Sequence, residues 1–379
     1  MRDDKQFWDN YKSDIIPANG CLYKRVRSDG YNYTFTISGD KNPGKMMRWG
    51  YTHEDNPRMA PMPEILDIEV STICHQGCSW CYKSNTAIGK IMDPKVLGRI
   101  LSATEENLTQ VAFGIGDIES VGYENLSKYF EYCSMYAIVP NITINGKEMD
   151  DSFYDLLSIY CGTVDVSIYN EKAYDVIEKL TKKHKIQCNI HTILAQENVV
   201  SNLKIIADTK TNKKLSDIHA ILFLMLKEKG TRNSLSTISY ENFRRLLDFT
   251  IAEHIQVGLD TCSAPTFLAY LYEKYNDAVI QQVLPMIEPC EAGLFSLYIN
   301  VDGEAFPCSF MEGQRGWETG IPIPNNREEF QTDVWFNPRL IEWRKRLLTS
   351  TSKCNCNLVN TCRRCPEFNL GIHDECKRS

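Results

Sequence analysis

From Glu64 onward, short apolar runs rich in Val and Ile alternate with stretches whose apolar residues recur at helical spacing. Strands are predicted at Ile65–Val70, Thr109–Phe113, Asn141–Ile144, Val164–Ile168, Ile186–Leu194 and Ile218–Leu226. Helices are predicted behind them at Pro94–Thr104, Glu124–Tyr136, Ser152–Tyr160, Glu171–Lys182, around Leu203–Asp208, and at Tyr240–Glu253. Asp93 before Pro94 is a helix-start signal, because the proline lacks only a donor that the first turn leaves unpaired anyway. Six consecutive strand–helix pairs predict an α/β fold with a parallel sheet, right-handed crossovers and helices outside. A partial barrel and an open doubly wound sheet both fit, and in either one ligands gather at the carboxyl ends of the strands.

The flanks follow other patterns. Residues 1–60 are polar and aromatic, with a hairpin predicted from Cys21-Leu22-Tyr23 to Tyr31–Thr36 around Ser28-Asp29-Gly30. After Leu259 the alternation stops. A helical stretch at Pro265–Ile287, a hairpin at Leu294–Phe306 turning at Asp302-Gly303, and a helix at Pro338–Leu348 precede a cysteine-rich tail. The expected division is an N-terminal hairpin extension at 1–60, a barrel at 61–258 and a cysteine-rich domain at 259–379.

Charge narrows the class of function. Lys+Arg 42 against Asp+Glu 49 gives −7 over 379 residues, so no overall positive field points to nucleic acid, and a nucleic-acid partner is not expected. No apolar run reaches the roughly 20 residues needed to span a bilayer, and the first residues lack the apolar core of a secretion signal. The expected location is the cytoplasm, with no membrane partner.

In a reducing compartment, 15 cysteines do not read as a disulfide framework. Cys133, Cys161 and Cys188 stand singly among apolar residues, as small core side chains do. Cys74, Cys78 and Cys81 instead crowd into the loop after the first predicted strand, and seven more cysteines run from Cys290 to Cys376. Closely spaced thiolates select soft metals. Three thiolates on a four-iron cluster would leave one iron open to a further ligand; a zinc loop completed by His75 or a remote cysteine is the alternative.

The loop Cys74-His75-Gln76-Gly77-Cys78-Ser79-Trp80-Cys81, with an aromatic residue before its last cysteine, resembles the motif of the radical S-adenosylmethionine superfamily. That resemblance implies a partial (β/α)6 TIM-like barrel in which Cys74, Cys78 and Cys81 hold three irons of a 4Fe–4S cluster. S-Adenosylmethionine would chelate the fourth iron and be cleaved reductively to a 5′-deoxyadenosyl radical that abstracts hydrogen from a substrate. By the same resemblance Trp80 joins the cofactor site, and Gly114-Ile115-Gly116-Asp117 stands where relatives carry a Gly-Gly-Glu turn facing the ligand's ammonium group. Here Ile115 replaces a glycine, and Asp117 is one methylene shorter than Glu; Glu119 is an alternative ammonium partner. Asn145-Gly146, Ser167 and His191 resemble further positions lining the cofactor cavity. For His191 a core histidine bonded to backbone is an equal alternative. Lys227 reads as a surface lysine, with a reach toward a carboxylate at the barrel mouth as the other option.

The late cysteines, Cys290, Cys308, Cys354, Cys356, Cys362, Cys365 and Cys376, resemble the SPASM extension, a small C-terminal auxiliary domain carrying two 4Fe–4S clusters. Two inner spacings are each one residue short of the family pattern. The resemblance assigns Cys290, Cys308 and Cys365 to one cluster, with Cys262 as its fourth ligand, and Cys354, Cys356, Cys362 and Cys376 to the other. A zinc knot is the competing reading. In the sulfatase-maturing branch an Asp follows the cysteine corresponding to Cys308; here Ser309 does, so the catalytic base is unassigned, with Asp260, Glu291 and Tyr298 as options. The tail from Arg339 carries nine basic and four acidic side chains, read as charge balance for thiolates rather than as a docking patch.

The resemblance implies modification of a peptide or protein side chain, with S-adenosylmethionine and an electron donor such as flavodoxin or ferredoxin as partners. Action on a small molecule or nucleotide, and a non-catalytic iron–sulfur electron-transfer role, are the alternatives.

Overall fold

The computed structural model describes residues 10–39, 44–53, 55–114, 116–351, 358 and 361–370. Ile115, Cys354, Cys356 and Cys376 lie outside the described residues.

The six predicted strands form as β5 (Ile65–Glu69), β6 (Gln110–Gly114), β7 (Val139–Ile144), β8 (Thr163–Ser167), β9 (Cys188–Leu194) and β10 (Ala220–Met225), and β11 (Val257–Leu259) adds a seventh. They lie side by side in chain order and parallel. This order decides between the two expected architectures. Right-handed crossovers that always add the next strand on the same side put every helix on one face and leave the other as a lumen, whereas a doubly wound sheet reverses its order. The chain forms a partial barrel.

Between these strands run α1 (Pro94–Thr104), the short α2 (Ile118–Val121), α3 (Tyr123–Met135), α4 (Asp151–Tyr160), α5 (Ala173–Glu178), α6 (Val199–Thr211) and α7 (Tyr240–Ala252). The Asp93 carboxylate accepts from Lys95 N at the start of α1, and the Ser239 hydroxyl from Asn242 N at the start of α7, each satisfying a donor the first turn leaves unpaired. Helix α5 is shorter than predicted, because the chain widens into a π turn at Lys179–Lys183. The helix predicted over Pro265–Ile287 is two, α8 (Ala264–Lys274) and α9 (Asp277–Val283). Tyr275 is extended, and the Asn276 side chain caps a fresh start by accepting from Val279 N.

Alternation along the barrel strands sorts their side chains. Leu66, Ile68, Val111, Phe113, Ile142, Val164, Val166, Ile190, Ile221 and Phe223 are buried against the helices. Asp67, Glu69, Asn141, Thr143, Asp165, Ser167 and His191 take the opposite parity and face the lumen. A closed eight-stranded barrel fills its interior with branched apolar residues. This interior is polar, and Ala112 is exposed at mid-strand, so the lumen is open there.

Beyond β5 the sheet continues through β12 (Ser296–Ile299), parallel to it, then antiparallel β13 (Glu304–Phe306) and β14 (Ile321–Pro322). The Asp302-Gly303 hairpin is therefore welded to the first barrel strand. The N-terminal hairpin belongs to a larger antiparallel sheet, β1 (Lys12–Ala18), β2 (Cys21–Ser28), β3 (Tyr31–Gly39) and β4 (Met46–Trp49). Tyr31, Tyr33 and Phe35 are fully buried in the same core as the barrel. The buried Lys24 ammonium donates to Leu108 O at 2.8 Å and to Glu105 O, closing the end of α1. The last helix, α11 (Pro338–Leu348), follows the short α10 (Arg327–Glu329) and starts on an Asn337 cap. Among the described residues no helix is long and apolar enough to cross a membrane.

Candidate cofactor and cluster site

The three-cysteine loop leaves β5 at the carboxyl end of the barrel and is pinned along its length. Met92 N donates to Val70 O at 2.9 Å, Thr72 N to Lys90 O at 3.0 Å and Cys74 N to Thr86 O at 2.7 Å. Gly77 takes the left-handed conformation, φ +65°, between the first two cysteines. The Cys74 thiol donates to Gly116 O at 3.4 Å. Burial raises the Cys78 thiol pKa; a hydrogen bond from Tyr169 opposes this, and Cys81 and Cys74 add to it, so the three sulfurs sense one another.

The turn after β6 is built to receive this loop. A Cβ on Gly116 would stand 2.4 Å from Ile73 O and 2.6 Å from the Cys74 Cβ, so only glycine lets the two backbones meet. Gly114 differs: a Cβ there would find the Asp67 Oδ1 at 3.7 Å, ordinary contact. Gly116→Ala is expected to displace Cys74, lower iron content, and cost about 1–3 kcal/mol in urea unfolding; Gly114→Ala should leave iron content at the parent level.

The Asp117 carboxylate is held by His75 Nδ1 at 3.0 Å, so in this arrangement it steadies the cysteine loop. Asn145 Nδ2 donates to Gly116 O at 3.2 Å, and Gly146 beside it has φ +68°. Ser167 ends β8 on the lumen side, two residues before Tyr169, whose ring stacks on Trp80 at 5.7 Å. A cavity of about 370 Å³ opens beside these groups, lined by Gln76, Asn145, Gly146 and Tyr169 among others. His191 faces the lumen with Nε2 3.4 Å from the Asp165 carboxylate, and burial pushes its pKa down. The sequence reading did not single out Tyr169.

A polar network missed at the sequence level crosses the mouth of the lumen. Lys83, two residues past Cys81, reaches Glu69 at 3.2 Å and the Tyr298 hydroxyl at 2.6 Å, and also pairs with Glu312. Lys229 donates to the backbone of Phe310 and Glu312 at 3.0 and 2.6 Å. Asp67 faces the same space; burial pushes its pKa up to about 7, against the pull of Lys83 and a hydrogen bond from Ser309. The signal was present: two acidic residues at alternate positions of an otherwise apolar strand.

The tertiary structure also gathers four cysteines distant in sequence. Cys262 lies just after β11, Cys290 before β12, Cys308 after β13, and Cys365 beyond α11. Burial raises the thiols of Cys262 and Cys308 to about 12 and about 11, and that of Cys290 well above its usual value. Each of these three is raised further by other members of the set, which places the four sulfurs in one neighbourhood. Among the described residues no three His, Cys, Asp or Glu side chains converge as they would on a single ion. A cubane cluster asks for something wider, because each thiolate binds a different iron.

Two basic residues of the tail also find structural work. Arg363 Nη1 donates to Cys290 O at 3.3 Å, and the buried Arg344 donates Nε to Gly293 O at 2.5 Å while lying over the Trp335 ring. Lys227, read from sequence as a surface residue, is buried: its side chain is 4% exposed and its ammonium is 2.7 Å from Asp260. The Phe310 ring lies against it and helps exclude water.

Residues 290–366 match the family model of SPASM, an iron–sulfur cluster-binding domain. No curated protein sequence matches the chain. Among solved structures, the fold is similar to Streptococcus suis SuiB bound to precursor peptide SuiA, with TM-score 0.65 and 19% identity over 84% of this chain and 77% of that one. SuiB bound to S-adenosylmethionine gives TM-score 0.62 and 19% identity over 80% and 72%. Native anSMEcpe with bound AdoMet and Cp18Cys peptide gives TM-score 0.57 and 16% identity over 79% and 88%. The expected partial barrel with a C-terminal cluster domain is borne out: residues 290–366 match the SPASM iron–sulfur cluster-binding family, and their strands extend the sheet of a barrel whose fold is similar to that of SuiB and anSMEcpe.

Proposed function

We propose that the chain is a cytoplasmic radical S-adenosylmethionine enzyme that modifies a peptide or protein side chain. The observation that carries this reading is the three-cysteine loop, seated on Gly116 at the carboxyl end of the first barrel strand and facing a polar, open lumen. Three thiols in one loop suit a 4Fe–4S cluster with one iron left for the cofactor. That cluster, when bound and reduced, supplies the electron that splits the sulfonium bond of S-adenosylmethionine and yields the hydrogen-abstracting 5′-deoxyadenosyl radical.

The protein's own contribution is placement and exclusion of water. Cys74, Cys78 and Cys81 would hold the cluster, and Gly116 and His75 keep their loop in register with β6. Trp80, Gly114, Gly116, Asp117, Asn145, Ser167 and His191 would line the cofactor's space. Cys262, Cys290, Cys308 and Cys365 would hold one auxiliary cluster, and Cys362 with Cys354, Cys356 and Cys376 a second. A flavodoxin or ferredoxin would deliver the electron. A peptide substrate is favoured because SuiB and anSMEcpe of the same fold have been seen with peptides bound, and because the lumen is open at Ala112.

The test uses anaerobically reconstituted, reduced protein with S-adenosylmethionine. Formation of 5′-deoxyadenosine, and a mass change in a candidate peptide, are the expected results. No 5′-deoxyadenosine with iron content intact would retire the enzyme in favour of an electron-transfer protein, and turnover of a free metabolite alone would retire the peptide.

A further inference from the structure

Lys227 is out of place by the usual rule that lysines stay in water. It follows β10, yet its ammonium is buried between the barrel and the C-terminal domain, 4.6 Å from the centre of the Phe310 ring. Two groups satisfy it. One is the Asp260 carboxylate at 2.7 Å, which is itself held by Met225 N at 3.2 Å and Ser263 N at 3.1 Å. The other is the face of the Phe310 ring. Asp260 stands two residues before Cys262, and Phe310 two residues after Cys308. The buried ammonium is thus held between the two segments that carry these cysteines, and that placement is the informative part.

We infer that Lys227 is a positioning residue that sets the reduction potential of an iron–sulfur cluster held by Cys262, Cys290, Cys308 and Cys365, with Asp260 as the opposing charge. The inference rests on the reading that these four thiols bind such a cluster. A reduced cluster carries one more negative charge than an oxidised one, and a buried cation beside it stabilises the reduced form. Low polarity around the pair strengthens the effect, and the carboxylate of Asp260 works against it. Because Lys227 follows one barrel strand and Asp260 the next, the barrel itself tunes the C-terminal cluster.

The experiment is an anaerobic potentiometric titration of the reconstituted protein, followed by electron paramagnetic resonance, with iron and sulfide measured on each sample. Lys227→Met is expected to make the cluster harder to reduce by at least tenfold in the equilibrium constant, about 59 mV for one electron. Lys227→Arg, which keeps the charge, should stay near the parent value. Asp260→Asn removes the opposing charge and should shift the midpoint upward. A Lys227→Met midpoint equal to the parent's at full iron content overturns the inference. Should that variant fail to hold iron, Asp260→Asn decides alone: an upward shift supports the inference, and an unchanged or lower midpoint overturns it. Cys290→Ala separates this from failure of the underlying reading. If its iron content equals the parent's, no cluster sits on the four thiols and that assignment falls first.

Discussion

Cys74→Ala protein, reduced and supplied with S-adenosylmethionine, is expected to form 5′-deoxyadenosine at least about 1000-fold more slowly than the parent, because enzymes owe factors this large and larger to their reacting group. Each of the three thiols would bind a different iron, so losing one leaves a corner without a protein ligand. The fold should survive, since Cys74 is only partly buried and its sulfur makes just two weak hydrogen bonds among the described residues, to Gly116 O and from Gln76 N. A control sharpens the result. Cys133 is fully buried among apolar side chains, and burial alone raises its thiol. Cys133→Ala should cost about 1 kcal/mol of stability, the ordinary effect of a point change, while cleavage continues. Cleavage by Cys74→Ala at the parent rate would sink the three-thiol assignment.

Arg48→Met is expected to destabilise the folded chain by about 3–5 kcal/mol, the usual cost of removing one partner from a buried ion pair. The Arg48 guanidinium of β4 reaches both Glu64 oxygens at 2.8 and 2.5 Å and Glu291 at 2.8 Å, and Glu64 also accepts from the Tyr31 hydroxyl at 2.6 Å. The side chain of Glu64 is wholly buried. One arginine thus ties the N-terminal sheet to the start of the barrel and to the start of the SPASM region. Burial already pushes the Glu64 pKa up, and Arg48 opposes it. Without Arg48 the carboxyl would fold best protonated. Its raised folded-state pKa makes that relief complete below the unfolded value and lost as pH rises through the folded one, so the deficit grows with pH. Urea midpoints across pH measure this, and Arg48→Met/Glu64→Gln should recover most of the loss. A deficit that stays flat with pH would contradict the account.

The strands and helices of the barrel were legible because each is a local pattern: α1 and α11 have the bounds that Pro94 and Pro338 announce. Legibility failed where a local signal was weak against its neighbours. Pro285 alone argues against helix in the run from Pro265 to Ile287, and only near its end; the break at Tyr275 shows in the Asn276 cap. The hairpin at residues 21–36 was read, but its outer strands were not, because Pro17 in β1 argues against a strand and β4 is only four residues long. The cysteine loop was plain from spacing. The lumen network was not, since Lys83 and Glu312 are ordinary charged residues until they face each other.

Alone, the sequence determined the order of elements, the parity that turns Asp67 and Glu69 away from the helices, and the clustering of Cys74, Cys78 and Cys81 after the first strand. These follow from spacing along one short segment, where backbone geometry dictates which side chains share a face or a loop. Only the tertiary structure decided that the sheet curls into a barrel, that Gly116 receives the cysteine loop, that Cys262, Cys290, Cys308 and Cys365 share one neighbourhood, and that Lys227 is buried against Asp260 and Phe310. Each of these depends on segments far apart in the chain coming together, and the contacts that exclude water from a lysine are made by residues its neighbours in sequence do not reveal.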